Sequence, residues 1–187
     1  MRTITVLALA VLTAFVSSKS NANELYIIQS GDKLVLESTQ DGGSYADFTL
    51  VGDFQTITNT QTVGTDTADY QWVEMTVQGD YNDIENYQHG YDNKYAIFDI
   101  QGDSNTVYWE QRDSGPHTAY ITTTGDDNVV YGQQTGSGNH YAELDLTSSS
   151  GSYTVNFLQD SSTDQSYSLI GICTNSNGCV LNITQNQ

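Results

Sequence analysis

Apolar residues in this chain come in pairs two positions apart, with a third apolar residue nine positions later, and the arrangement recurs seven times. Leu25 and Ile27 precede Leu36; Ala46 and Phe48 precede Ile57; Val73 and Met75 precede Ile84; Ala96 and Phe98 precede Val107. Ala119 and Ile121 precede Val130, Leu144 and Leu146 precede Val155, and Ile170 and Ile172 precede Leu181. Four residues after each third member stands a glutamine: Gln40, Gln61, Gln88, Gln111, Gln134, Gln159 and Gln185. Even spacings place residues on one face of an extended strand. Each repeat therefore predicts a first strand carrying the apolar pair and a second carrying the aliphatic residue and the glutamine. The repeat cores span 25–40, 46–61, 73–88, 96–111, 119–134, 144–159 and 170–185. Odd positions between them, such as Glu110 beside Gln111, are assigned to solvent.

A turn must separate the two strands. Gly31, Gly52, Gly79, Gly102 and Gly125 stand nine residues before their glutamines and each is followed by Asp, strong turn chemistry. Ser150 and Ser176 replace the glycine in the last two repeats. A second turn follows each glutamine, as in His89-Gly-Tyr-Asp-Asn93. Alternation of period two, abundant Val, Ile, Thr and Tyr, and glycine every dozen residues oppose helix. A globular sandwich would not require the same residue at the same place in every second strand. Stacked coils do, because each residue then lies on its own copy. The predicted fold is all-β: a solenoid of seven strand-turn-strand coils whose two parallel sheets face each other.

Residues 1–22 read as a secretory signal peptide: Arg2, an apolar run from Ile4 to Val16, and small residues ending at Ala22. That run is shorter than the roughly 20 residues needed to cross a bilayer. The domain is then 23–187, exported, with no membrane insertion. The whole chain carries a net charge of −18. Beyond residue 22 only Lys33, Lys94 and Arg112 oppose 23 carboxylates. Phosphate binding needs clustered Lys and Arg, so nucleic-acid binding is excluded. Acidic, polar compositions are often disordered, but 13 tyrosines, a regular apolar pattern and a single proline oppose that here.

The repeat resembles the curlin repeat of bacterial curli fibres, which reads Gln-x-Gly-x-x-Asn-x-x-x-x-x-Gln. Gln29 and Gly31 through Gln40 follow it, with Leu34 in place of Asn. Gly79, Asn82 and Gln88, then Gly102, Asn105 and Gln111, then Gly125, Asn128 and Gln134 supply the rest of the motif. The first glutamine is replaced by Leu50, Val77, Ile100, Thr123, Ser148 and Thr174 in the later repeats. The resemblance implies an extracellular amyloid fibre subunit for adhesion and biofilm matrix. Its expected partners are further copies of itself, a related nucleator or fibre subunit, and export machinery.

A buried glutamine is costly unless its amide is fully bonded. A column of glutamines solves this when each amide bonds to the copies above and below, about 4.7–4.8 Å away. End coils lack one neighbour and present unpaired strand backbone. Monomeric solenoids end in polar caps, and the pattern shows none beyond Leu25 or Gln185. Bare ends at both termini are thus expected, and they favour polymerisation. The alternative is a surface or phage-borne adhesin using a monomeric solenoid as a rigid scaffold.

Cys173 and Cys179 flank the first turn of the last repeat and suggest a disulfide clamp; two thiols alone do not make a zinc site. His89, His117 and His140 read as exposed second-turn residues rather than a metal stripe. Acidic turns such as Gly125-Asp-Asp-Asn128 lack the paired glycines of tight calcium repeats. Thr49, Thr76, Thr122 and Thr147 form an outward threonine column, the favoured residue on exposed strands. No nucleophile, base and orienting partner assemble, and no Gly-x-Ser-x-Gly elbow occurs. Neither enzyme activity nor a cofactor is expected.

Overall fold

A computed structural model describes residues 3–7, 12–19, 22–31, 33–41, 43–62, 70–90, 92–148, 153–174 and 178–186. All elements among them are strands, β1 to β16 in chain order. The first strand of each coil is β3 (Ala22–Ser30), β5 (Ser44–Val51), β7 (Gln71–Gln78), β9 (Lys94–Gln101), β11 (His117–Thr124), β13 (His140–Thr147) and β15 (Gln165–Ile172). The second is β4 (Val35–Asp41), β6 (Thr56–Thr62), β8 (Asp83–Asn86), β10 (Thr106–Tyr108), β12 (Val129–Tyr131), β14 (Thr154–Phe157) and β16 (Val180–Ile183). Each set forms one parallel sheet in coil order, so the chain is a β-solenoid of two facing seven-stranded parallel sheets.

The core is the even-position pattern made physical. In β5, β7, β9, β11 and β13 inward side chains are buried and alternate with half-buried outward ones. Leu25, Ala46, Val73, Ala96 and Ala119 stack in one column, and Ile27, Phe48, Met75, Phe98 and Ile121 in the next. Leu36, Ile57, Ile84, Val107, Val130, Val155 and Leu181 face them from the other sheet. A further inward column escapes the repeat pattern because its chemistry changes along the chain. It runs Asn59, Asn86, Trp109, Gly132 and Phe157, with Asn86 Nδ2 donating to Asn59 Oδ1 at 2.8 Å. Trp109 and Phe157 stack at 5.6 Å across Gly132, where a Cβ would come within 2.3 Å of the indole.

The last two coils depart from the predicted register. Ala142 sits on Ala119 and Leu144 on Ile121, one inward step from the expected pairing. Two extra residues in the first turn of coil six account for it, so a fixed count backwards from Gln159 stops two residues short. Leu146, not Ser148, continues the column of Thr123, and Asp145, not Thr147, continues that of Thr122. In coil seven the first turn is longer by one more residue and parity flips. Tyr167, Leu169 and Gly171 continue the inward columns, while Ile170 and Ile172 face outward. Gly171, not Thr174, follows Leu146. Ser150 and Ser176 lie outside the described residues.

The expectation of two bare ends also needs correction for the full-length chain. β1 (Thr3–Leu7) runs antiparallel along β4, and β2 (Leu12–Lys19) runs antiparallel along β3. The first coil therefore has strand neighbours on both sheets while residues 3–19 are attached.

Candidate functional site: the inner ladders and the open end

The glutamines form one continuous ladder. Gln40 Nε2 donates to Gln61 Oε1 at 3.3 Å, Gln61 to Gln88 at 2.7 Å and Gln88 to Gln111 at 2.7 Å. Gln111 donates to Gln134 at 2.6 Å, Gln134 to Gln159 at 2.6 Å and Gln159 to Gln185 at 2.7 Å. The second amide hydrogen goes to the backbone across the second turn. Gln88 donates to the Tyr95 carbonyl at 3.1 Å, Gln111 to Thr118 at 3.1 Å and Gln134 to Tyr141 at 3.0 Å. The amide thus links coil to coil and closes its own turn, which answers the desolvation cost of a buried side-chain amide.

The first turn has its own ladder. The Asn82 backbone N–H donates to Asn105 Oδ1 at 2.9 Å and that of Asn105 to Asn128 Oδ1 at 2.8 Å. The Asn105 amide closes its own turn on the Gly102 carbonyl at 2.8 Å. Asp80, Asp103 and Asp126 backbone N–H groups donate to the carboxylates of Asp53, Asp80 and Asp103 at 2.9, 2.7 and 2.6 Å. Gly102 has φ of +141°, and a Cβ there would lie 2.1 Å from the Gly79 carbonyl oxygen. Gly-Asp at this position is therefore both a conformational and a spacing requirement. Gly31 and Gly52 share the positive φ.

Three polar residues expected outside lie inside. His117 and His140 open β11 and β13 in the same register, stacked at 4.9 Å with planes 1° apart. Both are buried, directly beyond Lys94 in the same inward column. His89 is in the turn, as expected. The signal was present: Lys94, His117 and His140 each lie six residues after a ladder glutamine, whereas His89 lies one after. Each imidazole Nε2 meets a second-turn carbonyl, Arg112 for His117 and Thr135 for His140. That acceptor places a proton on Nε2 but by itself favours the charged ring, so it is burial that keeps the ring neutral. Burial, above all, pushes His117 down to about 3, with the charges of Lys94 and His140 adding to it. Burial also lowers His140.

Glu110 is buried, at 1% exposure, rather than solvent-facing. The chain leaves the strand after Tyr108, so parity no longer assigns its face. Its carboxylate pairs with Arg112 Nε and accepts from Tyr108 Oη at 2.8 Å.

At the other extreme is coil seven. Core-facing Leu181 and Tyr167 are 49% and 39% exposed, although Val155 and Ala142, their counterparts in coil six, are buried. A cavity of about 310 Å³ opens between the sheets, lined by Leu146, Val155, Leu169, Cys173, Cys179 and Leu181. It exists because Gly171 stands where the preceding coil places Leu146. Cys173 and Cys179 are disulfide-bonded with Cα atoms 6.3 Å apart, closing the turn above the cavity. Among the described residues no group of three His, Cys, Asp or Glu side chains is arranged to hold a metal ion.

No protein-family model, curated protein or solved structure matches the chain.

Proposed function

We propose that the chain is a structural subunit of an extracellular, curli-like amyloid fibre that grows by stacking solenoids end to end. One observation carries this: the core is left open at coil seven, where Leu181 and Tyr167 are half exposed and no strand lies beyond β15 or β16 among the described residues. An open strand edge over exposed apolar surface is a template for another chain. The curlin-type motif and a ladder that repeats in every coil support the same reading. Removal of residues 1–22 as a signal peptide takes β1 and β2 with it and frees the complementary edge of β3 and β4. Secretion to the cell surface, self-association and a related nucleating subunit follow as parts of this proposal.

The test is assembly of the chain beginning at Asn23. At micromolar concentration it forms thioflavin-positive fibres diffracting at about 4.7–4.8 Å and about 10 Å. Assembly accelerates from low salt to 0.15 M NaCl, because screening shortens the reach of like charges to about 8 Å. A persistent monomer after days at neutral pH would refute the fibre and leave the second reading, a rigid adhesin scaffold. That reading is favoured if residues 3–19 stay attached, since β1 and β2 then edge the first coil. N-terminal sequencing of the exported protein separates the two starting points.

A further inference from the structure

The outer face of the first-strand sheet carries a feature that neither the inner ladders nor end-to-end stacking uses. Six aromatic rings run along it across the strands without a break: Tyr26, Tyr45, Trp72, Tyr95, Tyr120 and Tyr141. Successive centroids are 5.4, 5.8, 4.7, 5.6 and 5.7 Å apart, with rings inclined by 51–69°. The row zigzags between two adjacent outward columns, because Tyr26 and Tyr120 stand one outward step along from Tyr45, Trp72, Tyr95 and Tyr141. All six rings are partly open to solvent.

Every charge on this face is negative. Glu24, Asp47, Glu74, Asp99, Glu143 and Asp145 occupy outward positions beside or between the rings, and no outward position of β3, β5, β7, β9, β11, β13 or β15 holds Lys or Arg among the described residues. Lys94, the one cation in these strands, points inward. Ring and carboxylate also touch, as Tyr141 Oη donates to Glu143 Oε2 at 2.9 Å. The negative field registers on the rings themselves: burial first, then the charges of Asp47 and Glu74, push the Tyr45 phenol up to about 12. Burial raises the Asp47 carboxyl as well.

We propose that this aromatic and acidic row is a binding track for a linear amino-polysaccharide, a chain of hexosamine units with free, protonated amines. Ring faces attract ammonium groups and the attraction grows where water is partly excluded. Neighbouring carboxylates supply charge-assisted acceptors for the same groups. Aromatic rings also pack against the apolar C–H faces of sugars, which a simple polycation lacks. The track crosses six successive coils with one ring in each, so it fits an extended polymer rather than a compact ligand. Its chemistry excludes acidic polysaccharides, which would meet six carboxylates and no cation. The inference goes beyond the fibre reading and does not depend on it, since a single solenoid already presents six rings.

The experiment measures binding of a glucosamine hexamer to the full-length chain by calorimetry at low salt, with its N-acetylated counterpart and hexalysine as comparison probes. The free-amine hexamer binds best. Replacing both Trp72 and Tyr95 by Ala lowers its affinity about tenfold or more, whereas Trp72→Phe retains most of it. Glu74→Gln weakens binding several-fold and, being isosteric on an outward position, preserves the far-ultraviolet dichroism. Ala substitution of Tyr81, an exposed aromatic in a first turn away from the track, changes nothing. Hexalysine binding as tightly as the sugar would reduce the face to a bare cation attractor and overturn the proposal. Equal binding by the N-acetylated hexamer would remove the amine from it. Unchanged affinity in the folded Glu74→Gln variant and in the folded double variant Trp72→Ala with Tyr95→Ala would overturn the proposal and leave the rings only a part in stabilising the sheet.

Discussion

The third to fifth coils and the seventh are built from the same repeat but differ in how much each residue is constrained by its copies. In the middle, ladder glutamines recur every 23 residues from Gln88 to Gln134, and every inward position has a neighbour above and below. Turn glycines there are pressed against the carbonyl of the preceding coil. In the seventh coil a core-facing glycine has nothing within 4 Å of where its Cβ would be, and core-facing Leu181 is half exposed. Tightness in this fold belongs to having two neighbours, not to the repeat itself.

Glycine substitution should separate the two regions most sharply. Gly102→Ala forces a Cβ into the Gly79 carbonyl at a backbone angle that disfavours side chains, and costs about 3 kcal/mol or more. Gly171→Ala meets open space and stays within about 0.5 kcal/mol. Urea titration of both variants measures the contrast, and equal midpoints would dissolve it.

Acid should strike the middle next. His117 titrates below the unfolded value near 6.5, so its neutral form contributes fully above that pH and the contribution is lost as pH falls towards about 3. His140 shifts the same way. At pH 5 the loss from His117 is about 2 kcal/mol. Lys94 stands in the same column, and the backbone carbonyls bonded to the two rings, with the charges of Asp113 on His117 and of Asp160 and Asp164 on His140, oppose the shift without cancelling it. Asp47 works in the opposite sense, since burial raises its carboxyl and acid relieves it. Replacing both histidines by Gln should flatten thermal stability between pH 7 and 5. An unchanged slope would place the acid response elsewhere.

The glutamine ladder offers a finer comparison. Gln111→Leu strands Gln88 and Gln134 within the core and costs roughly 1–3 kcal/mol. Gln185→Leu removes only the last acceptor, where water reaches the freed Gln159 amide, and costs about half as much or less. Glu110→Gln falls between surface and core: it breaks the Arg112 pair, but Arg112 is half exposed and rehydrates, so about 1 kcal/mol is expected. The smallest global effect comes from reducing Cys173–Cys179. Hydrogen exchange should quicken in β15 and β16 and leave β9 and β11 unaltered.

The fold was legible because stacking makes each column repeat one kind of residue, and the aliphatic and glutamine columns announce themselves. Columns that change chemistry did not. The Asn59-to-Phe157 column mixes amides, aromatics and glycine, and Lys94, His117 and His140 are types usually found outside. Parity served inside strands and failed where the chain leaves them, as at Glu110. Register was readable only while turn length held constant; two and then three added residues shifted Leu144 by one step and turned Ile170 outward.

The glutamine ladder has a sense as well as a sequence. Every amide nitrogen points towards the carboxyl-terminal coils and every amide oxygen back towards the amino-terminal ones. Two solenoids meeting through like ends would set amide hydrogen against amide hydrogen, or oxygen against oxygen. Unlike ends meet donor to acceptor, an association without a twofold axis that has no geometric reason to stop at two members. Such a rod has a front and a back, and its two tips need not lengthen at the same rate.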